Sequence, residues 1–376
     1  MKRTLLTIMA ILAILSFSHA QTIDSNLRYW NEGPLKWEDF TVRNYKGDIR
    51  SSMHLVYNFK PVSKKTGNLT VRYYQANTAM DKGLSWVRTE DMTADELAYN
   101  QLLFDISEVN RREMQAELNN ISSNYSKADI MDYYGTKNRQ MIKELEDESD
   151  YGMRKQIVGS YAARTAEKLS HMPEDSIPEF ECRNVGYGMH LGLESDIYMG
   201  DGALAFNPIW SFIYGFELAY KRSSLFLEMA MGTGSVNNTF DFTAINNGKT
   251  ETITWNAGIP VYSVEMDLVY GFAVIDNDRF KVSPIVGIGL NALSDSYYAE
   301  EETGTIGGLH ASAGLNIDWK FNRTVSYAPS FFASEEYTET TLRTKVYVAY
   351  NGYMTGFNPY TINVAVMINM FGRMLK

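Results

Sequence analysis

A chain of 376 residues with a net charge of −10 and one cysteine, Cys182, has room for two domains. The acidic balance and the lack of any basic cluster exclude nucleic acid as a partner. A single thiol excludes an internal disulfide, so packing or a membrane must supply stability.

Residues 1–20 read as an export signal. Lys2 and Arg3 give a positive start, Leu5–Phe17 is mostly apolar, and Ser18-His19-Ala20 has the small-x-small form that signal peptidase cuts. The apolar run is too short to span a bilayer, and no later run reaches roughly 18 apolar residues, so any membrane contact is not made by helices. The mature chain is expected to begin at Gln21.

Residues 21–172 read as an α+β domain. Strand-like pieces cover Met53–Phe59 and Leu69–Gln75. Thr93-Ala-Asp-Glu96 forms a capping box that opens a helix running to about Ile121. Tyr99, Leu102, Leu103, Ile106 and Val109 recur at helical spacing on one face and should bury together. Gln101, Asp105 and Glu108 share a polar face, expected to be solvated, with binding of a cation or a partner the alternative. Further helical stretches cover 138–148 and 153–170. His54 reads as structural.

Three phrases carry a resemblance: "YWNEGPLKWEDF" (Tyr29–Phe40), "LSWVR" (Leu84–Arg88) and "QLLFDISEVNRREM" (Gln101–Met114). Together they resemble a family of secreted zinc-protease-like domains common in Bacteroidetes. The family's phrases run close to W-x-x-x-x-L-x-W-x-D-F, S-W-V and H-E-Q-x-H-F-D-I-x-E. The resemblance spans about residues 30–170, and F-D-I-x-E is its most specific part. It places Tyr99, Asn100 and Leu103 where the family has histidine, glutamate and histidine. A zinc ligand needs a lone pair from imidazole, thiolate or carboxylate, and asparagine cannot act as a base. The resemblance therefore implies a degenerate peptidase-like domain with no catalytic residue, no metal and no cofactor.

Residues 173–183 read as a linker, with Pro173 and Pro178 among acidic residues. Beyond it the composition changes: seven glycines lie in 21–180 and twenty in 181–376. From 184 to the end the chain alternates apolar with small or polar residues, the period of a strand. Eight such segments fall at 187–193, 210–220, 225–231, 262–274, 282–290, 309–319, 342–350 and 362–370. In 262–274, for example, Tyr262, Val264, Met266, Leu268, Tyr270, Phe272 and Val274 oppose Ser263, Glu265, Asp267, Val269, Gly271 and Ala273.

Segments of about ten residues, a glycine-rich polar face and aromatic ends (Tyr187, Trp210, Tyr220, Tyr262, Phe280, Trp319) favour an antiparallel outer-membrane barrel, apolar outside and polar inside. A soluble sandwich or lipocalin-like barrel is the alternative. This half resembles the small outer-membrane barrels of Bacteroidetes. Short turns at "YKRSS" and "DNDRF" should be periplasmic, and longer connections at 199–208, 235–260 and 293–307 external. The stretch 320–341 fits neither.

The expected fold is an α+β periplasmic domain followed by an all-β, eight-stranded transmembrane barrel. Its narrow interior should hold Glu194, Glu217, Glu228, Glu265, Asp267, Lys281, Asp318, Arg343 and Lys345 as a network of paired charges. His190 and His310 face the same way and read as members of that network, not as metal ligands. Glu300–Glu302 read as a solvated run, with Ca²⁺ binding the alternative. The expected partners are outer-membrane lipid and a periplasmic peptide, glycan or envelope protein. The implied role is binding or scaffolding in the envelope; an active hydrolase or a small ion or solute conduit is the competing class.

Overall fold

The computed structural model describes residues 26–120, 123, 125–174, 178–246, 249–295, 304–327, 335–353 and 359–376. The export signal and Glu300–Glu302 lie outside them. The chain divides into two compact units.

The first unit takes residues up to 59, 76–115 and 125–174. Its short strands are β1 (Leu27–Tyr29), β2 (Thr41–Val42) and β3 (Ser51–Ser52); two longer ones, β4 (Leu55–Thr66) and β5 (Leu69–Asp81), run on into the second unit; β6 is Trp86–Val87. β1 pairs antiparallel with the end of β5, while β2 and β3 flank β6. Three helices follow: α1 (Ala94–Leu118), α2 (Lys127–Ser149) and α3 (Lys155–His171). α1 stops three residues short of the expected Ile121. Half of the expected capping box forms: the Glu96 amide donates to Thr93 Oγ1 at 3.2 Å, while the Glu96 side chain turns away to Ser51 and Arg50.

The α1 stripe buries as its spacing requires, with Tyr99, Leu102, Leu103 and Ile106 packed on Leu145 of α2 and on Val158 and Tyr161 of α3. The opposite face is not solvated. Trp30 Nε1 donates to Asp105 at 2.8 Å, Leu35 N donates to Gln101 Oε1 at 2.7 Å, and Glu108 accepts from both Arg111 and Arg112. Sequence spacing shows that a face is polar, but not that other segments fold onto it.

The second unit is a closed antiparallel barrel. Its elements are β7 (Cys182–Tyr198), a short helix α4 (Asp201–Ala205), β8 (Ile209–Tyr220), β9 (Ser223–Ser235), a hairpin of β10 (Phe240–Asn246) and β11 (Lys249–Trp255), β12 (Pro260–Phe272), the two-residue β13 (Ile275–Asp276), β14 (Phe280–Ser294), β15 (Thr305–Ser326), β16 (Glu336–Tyr353) and β17 (Tyr360–Leu375). The eight staves are β7, β8, β9, β12, β14, β15, β16 and β17, and β17 pairs back onto β7 to remove the free edge. β7 starts at Cys182, inside the stretch read as linker. The described part of the open stretch 320–341 is strand: β15 and β16 continue pairing to Ser326↔Glu336.

That extension is joined by a piece of the N-terminal half. Residues 69–72 of β5 add in parallel to Arg323–Ser326 of β15. Val71, Tyr73, Val325, Tyr327, Tyr337 and Leu375 bury together there. Residues 60–75 and 116–120 belong to the barrel unit, not to a domain ending at 172.

The alternation read from sequence is seen along the staves. Trp210, Phe212, Phe216, Leu218, Leu227, Leu268, Val286, Ile288, Leu315 and Ile368 all point outward and are exposed. Polar residues of the same strands, such as Ser211, Glu217, Glu228, Ser283, Asn316 and Asn369, are buried. Tyr220, Tyr270, Phe272, Phe280, Trp319 and Phe321 ring the short-turn end, and Trp210, Phe212, Tyr350 and Tyr360 the other. In water such an exterior would be costly; facing hydrocarbon it is favourable. Among the described residues no helix is long and apolar enough to cross a membrane.

Candidate functional site in the first helix and the barrel lumen

Tyr99, Asn100 and Leu103, which the resemblance sets against a zinc motif, lie on α1. Tyr99 and Leu103 sit in the apolar cluster, 5 % and 6 % exposed. Burial holds the Tyr99 phenol above its ordinary value. The backbone of Gly152 lies against its ring: a Cβ there would come within 2.7 Å of Tyr99 Cγ, and φ is +85°. Asp150 and Tyr151 also take positive φ, an unusual run for non-glycine residues.

Asn100 is fully buried. Its amide donates to Ser51 Oγ and to Glu96 O, both at 2.8 Å. Ser51 in turn donates to Glu96 Oε1 at 2.7 Å, and Arg50 lies 2.8 Å from Glu96 Oε2. An Arg50–Glu96–Ser51–Asn100 chain thus occupies this side of the helix, and zinc does not fit these residues. Arg50 and Ser51 gave no sequence signal, because nothing local brings β3 to α1. His54 is exposed, on the run into β4. Behind the helix, Ile106, Val109, Met141, Tyr161, Arg164, Thr165 and Lys168 line a small cleft of about 130 Å³.

In the barrel, the structure places all nine expected charged residues inside, each at most 9 % exposed. They are not one evenly paired network. Towards the short-turn end the pairing is dense. Arg343 Nε donates to Asp318 Oδ1 at 2.6 Å and its Nη2 to Glu217 Oε2 at 2.8 Å, while its guanidinium stacks 4.9 Å from the Phe226 ring. Lys281 donates to Glu217 at 3.1 Å. Lys320, inside the stretch left unassigned, bridges Asp276 and Glu339 at 2.6 and 2.8 Å.

Higher in the lumen the balance fails. Lys345 donates to Glu228 at 2.6 Å, and its charge also reaches Glu194, Asp196, Glu265 and Asp267. Glu194 accepts from the Tyr347 hydroxyl and Glu265 from Asn291 Nδ2 at 2.7 Å, both neutral donors. The expected pairing of Glu194, Glu265 and Asp267 with basic residues is therefore corrected: three bases cannot neutralise six acids, and Asp196, absent from the sequence-derived set, adds a seventh.

The register explains how the two histidines enter. Following hydrogen-bonded neighbours from β17 to β16 the long way round gives Asn369, His190, Gly215, Glu228, Asp267, Gly289, His310 and Asn351. In each half a glycine lies between an acid and a histidine. A Cβ on Gly215 would sit 2.7 Å from His190 Nε2, and one on Gly289 would sit 1.8 Å from Asp267 Oδ1. Glycine leaves the room for acid and imidazole to approach over it. His190 Nε2 lies 3.1 Å from Glu228 Oε1.

At the long-loop ends, Phe206, Ile209, Val236, Phe242, Trp255, Val261, Leu293 and Ile306 form a buried apolar cluster, edged by the Tyr198 and Tyr353 hydroxyls 3.3 Å apart.

No family model matches the chain, and no curated protein matches it in sequence. Among solved structures it is similar to Ail, the attachment invasion locus protein of Yersinia pestis, solved with the heparin analogue sucrose octasulfate: 8 % identity, TM-score 0.28, covering 50 % of this chain and 99 % of that one. It is also similar to Neisserial surface protein A, with 8 % identity, TM-score 0.29 and coverage of 51 % and 97 %. The outer membrane protease OmpT of Escherichia coli matches at 12 % identity, TM-score 0.20 and coverage of 53 % and 99 %. Likenesses this distant carry no argument about activity, and the architecture rests on the barrel's own register.

Proposed function

We propose that the protein is an outer-membrane β-barrel whose filled lumen serves as an anchor, and that its N-terminal half works in the periplasm as a binding or scaffolding module without peptidase chemistry. The observation that carries the first part is the two-sidedness of the staves: large apolar side chains exposed outside, and buried acids and bases such as Glu217, Asp318 and Arg343 within. The even strand count puts Cys182 and Leu375, register partners, at the short-turn end, the periplasmic side in such barrels.

The second part is supported by the apolar and amide side chains at the zinc-motif positions. It is supported too by exposed aromatic residues on the first unit, such as Tyr133 on α2. A pseudo-peptidase ancestry of the Bacteroidetes kind is consistent with the three phrases quoted above. Phe226, Val269, Ile285 and Tyr347 fill space between the charges, which favours an anchor over a conduit.

The test is made in intact cells. The full chain should fractionate with outer-membrane lipid and show heat-dependent mobility in detergent gels. A photo-crosslinking residue at Tyr133 should capture a discrete envelope component. A chain that stays soluble without detergent, or one that cleaves a peptide library, would refute the reading.

A further inference from the structure

We infer that the upper lumen is a binding site for a divalent transition-metal ion, held by Glu265, Asp267 and His310. The ligand atoms of these three side chains lie within 4.8 Å of one another, and all three residues are buried. Glu194 and Asp196 form a second such group with the same Glu265.

The acids alone would not make a site. The independent observation is His310. It is 2 % exposed, and among the described residues neither ring nitrogen has a hydrogen-bond partner. Nδ1 lies 4.0 Å from Glu265 Oε2, too far for a hydrogen bond. Asp267 Oδ1, aimed over Gly289 towards the same place, also lacks a partner. A buried imidazole with both nitrogens idle is costly, and ligation removes that cost.

Charge points the same way. Glu194, Asp196, Glu228, Glu265 and Asp267 all feel one ammonium, Lys345, which is already committed to Glu228. A dication offsets two of the excess negative charges. The mirror position shows the contrast, for there His190 has Glu228 at 3.1 Å and Arg343 Nη1 at 3.5 Å. An imidazole with carboxylates suits Zn²⁺ or a neighbour of it better than Ca²⁺, which takes six to eight oxygens. The site is distinct from the vacated motif on α1 and does not depend on the role of the first unit.

The aromatic cluster above the site makes loading during folding the practical route. The full chain is unfolded in urea with a chelator, refolded into detergent with ZnCl₂ or CaCl₂, desalted, and assayed for metal by mass spectrometry. The expected result is one zinc per chain, no calcium, and a Zn K-edge spectrum showing one imidazole among oxygen donors. Asp267→Asn and His310→Gln should each lower retained zinc at least tenfold while keeping the folded barrel's gel mobility, and His54→Gln, which is exposed, should change nothing. Metal-free wild-type protein after refolding with zinc would overturn the proposal. So would zinc retained equally by folded His310→Gln. If neither variant folds, the wild-type spectrum decides, because a bound ion without a nitrogen ligand also overturns it.

Discussion

Arg343→Met should be among the most damaging single changes in the barrel. The guanidinium is fully buried and makes hydrogen bonds to Asp318 at 2.6 and 3.2 Å and to Glu217 at 2.8 Å. After the change Glu217 still has Lys281 at 3.1 Å and Ser224 at 2.7 Å. Among the described residues Asp318 then keeps only the Thr341 hydroxyl, at 3.4 Å. The penalty therefore falls mainly on one carboxylate stranded in the lumen, and breaking a buried pair in this way costs about 3–5 kcal/mol, or roughly 10²–10⁴ in the unfolding equilibrium. Urea unfolding of the barrel in lipid vesicles, followed by tryptophan fluorescence, measures it. Adding Asp318→Asn to Arg343→Met should restore at least half of the loss, because a neutral amide no longer needs the cation. A loss below about 1 kcal/mol, or a second substitution that rescues nothing, would refute the electrostatic account.

Other outcomes follow from the same geometry. Leu268→Arg, at the middle of β12 and facing outward, should cost about 2–4 kcal/mol in vesicles, whereas an exposed position on a water-facing barrel would tolerate it; equal stability of the two proteins would count against lipid contact. Leu103→Ala should remove about 2–5 kcal/mol from the first unit by opening a cavity against Leu145, read by thermal unfolding. Burial raises the Asp105 carboxyl above its ordinary 3.8, against the lowering from Trp30 and Gln101. The folded state then holds its proton longer, so this group's contribution is fully present below the unfolded value and is lost as pH rises through the folded one. Asp105→Asn should flatten that slope, with Trp30 emission as the local reporter, and an unchanged slope would assign it elsewhere.

The barrel was legible because a period of two survives in each stave. Leu268 facing out and Asp267 facing in need only their neighbours to declare themselves. The first helix was half legible: the stripe from Tyr99 to Ile106 was readable, but the partners of Asp105 and Glu108 were not. Trp30 sits 75 positions from Asp105, and no local pattern records that contact. The lumen shows the same division. Sequence places each charge on the inner face, but only register shows that Arg343 meets Asp318 and Glu217 while Asp267 meets no base. Lys320 was missed because the strand was expected to end one residue before it. Asp196 was missed because the expected first segment stopped short of it.

The parallel joint between β5 and β15 has a consequence for the order of assembly. Asn68, at the tip of the β4–β5 hairpin, bonds to Lys320, 252 residues later in the chain. Contacts that close so long a loop form late, once the closing segment is itself in place. The hairpin must therefore wait with an unsatisfied edge until β15 has been laid into the barrel. An unpaired edge invites the wrong strand, so a chaperone that shields residues 60–75 in transit would have a physical reason to exist.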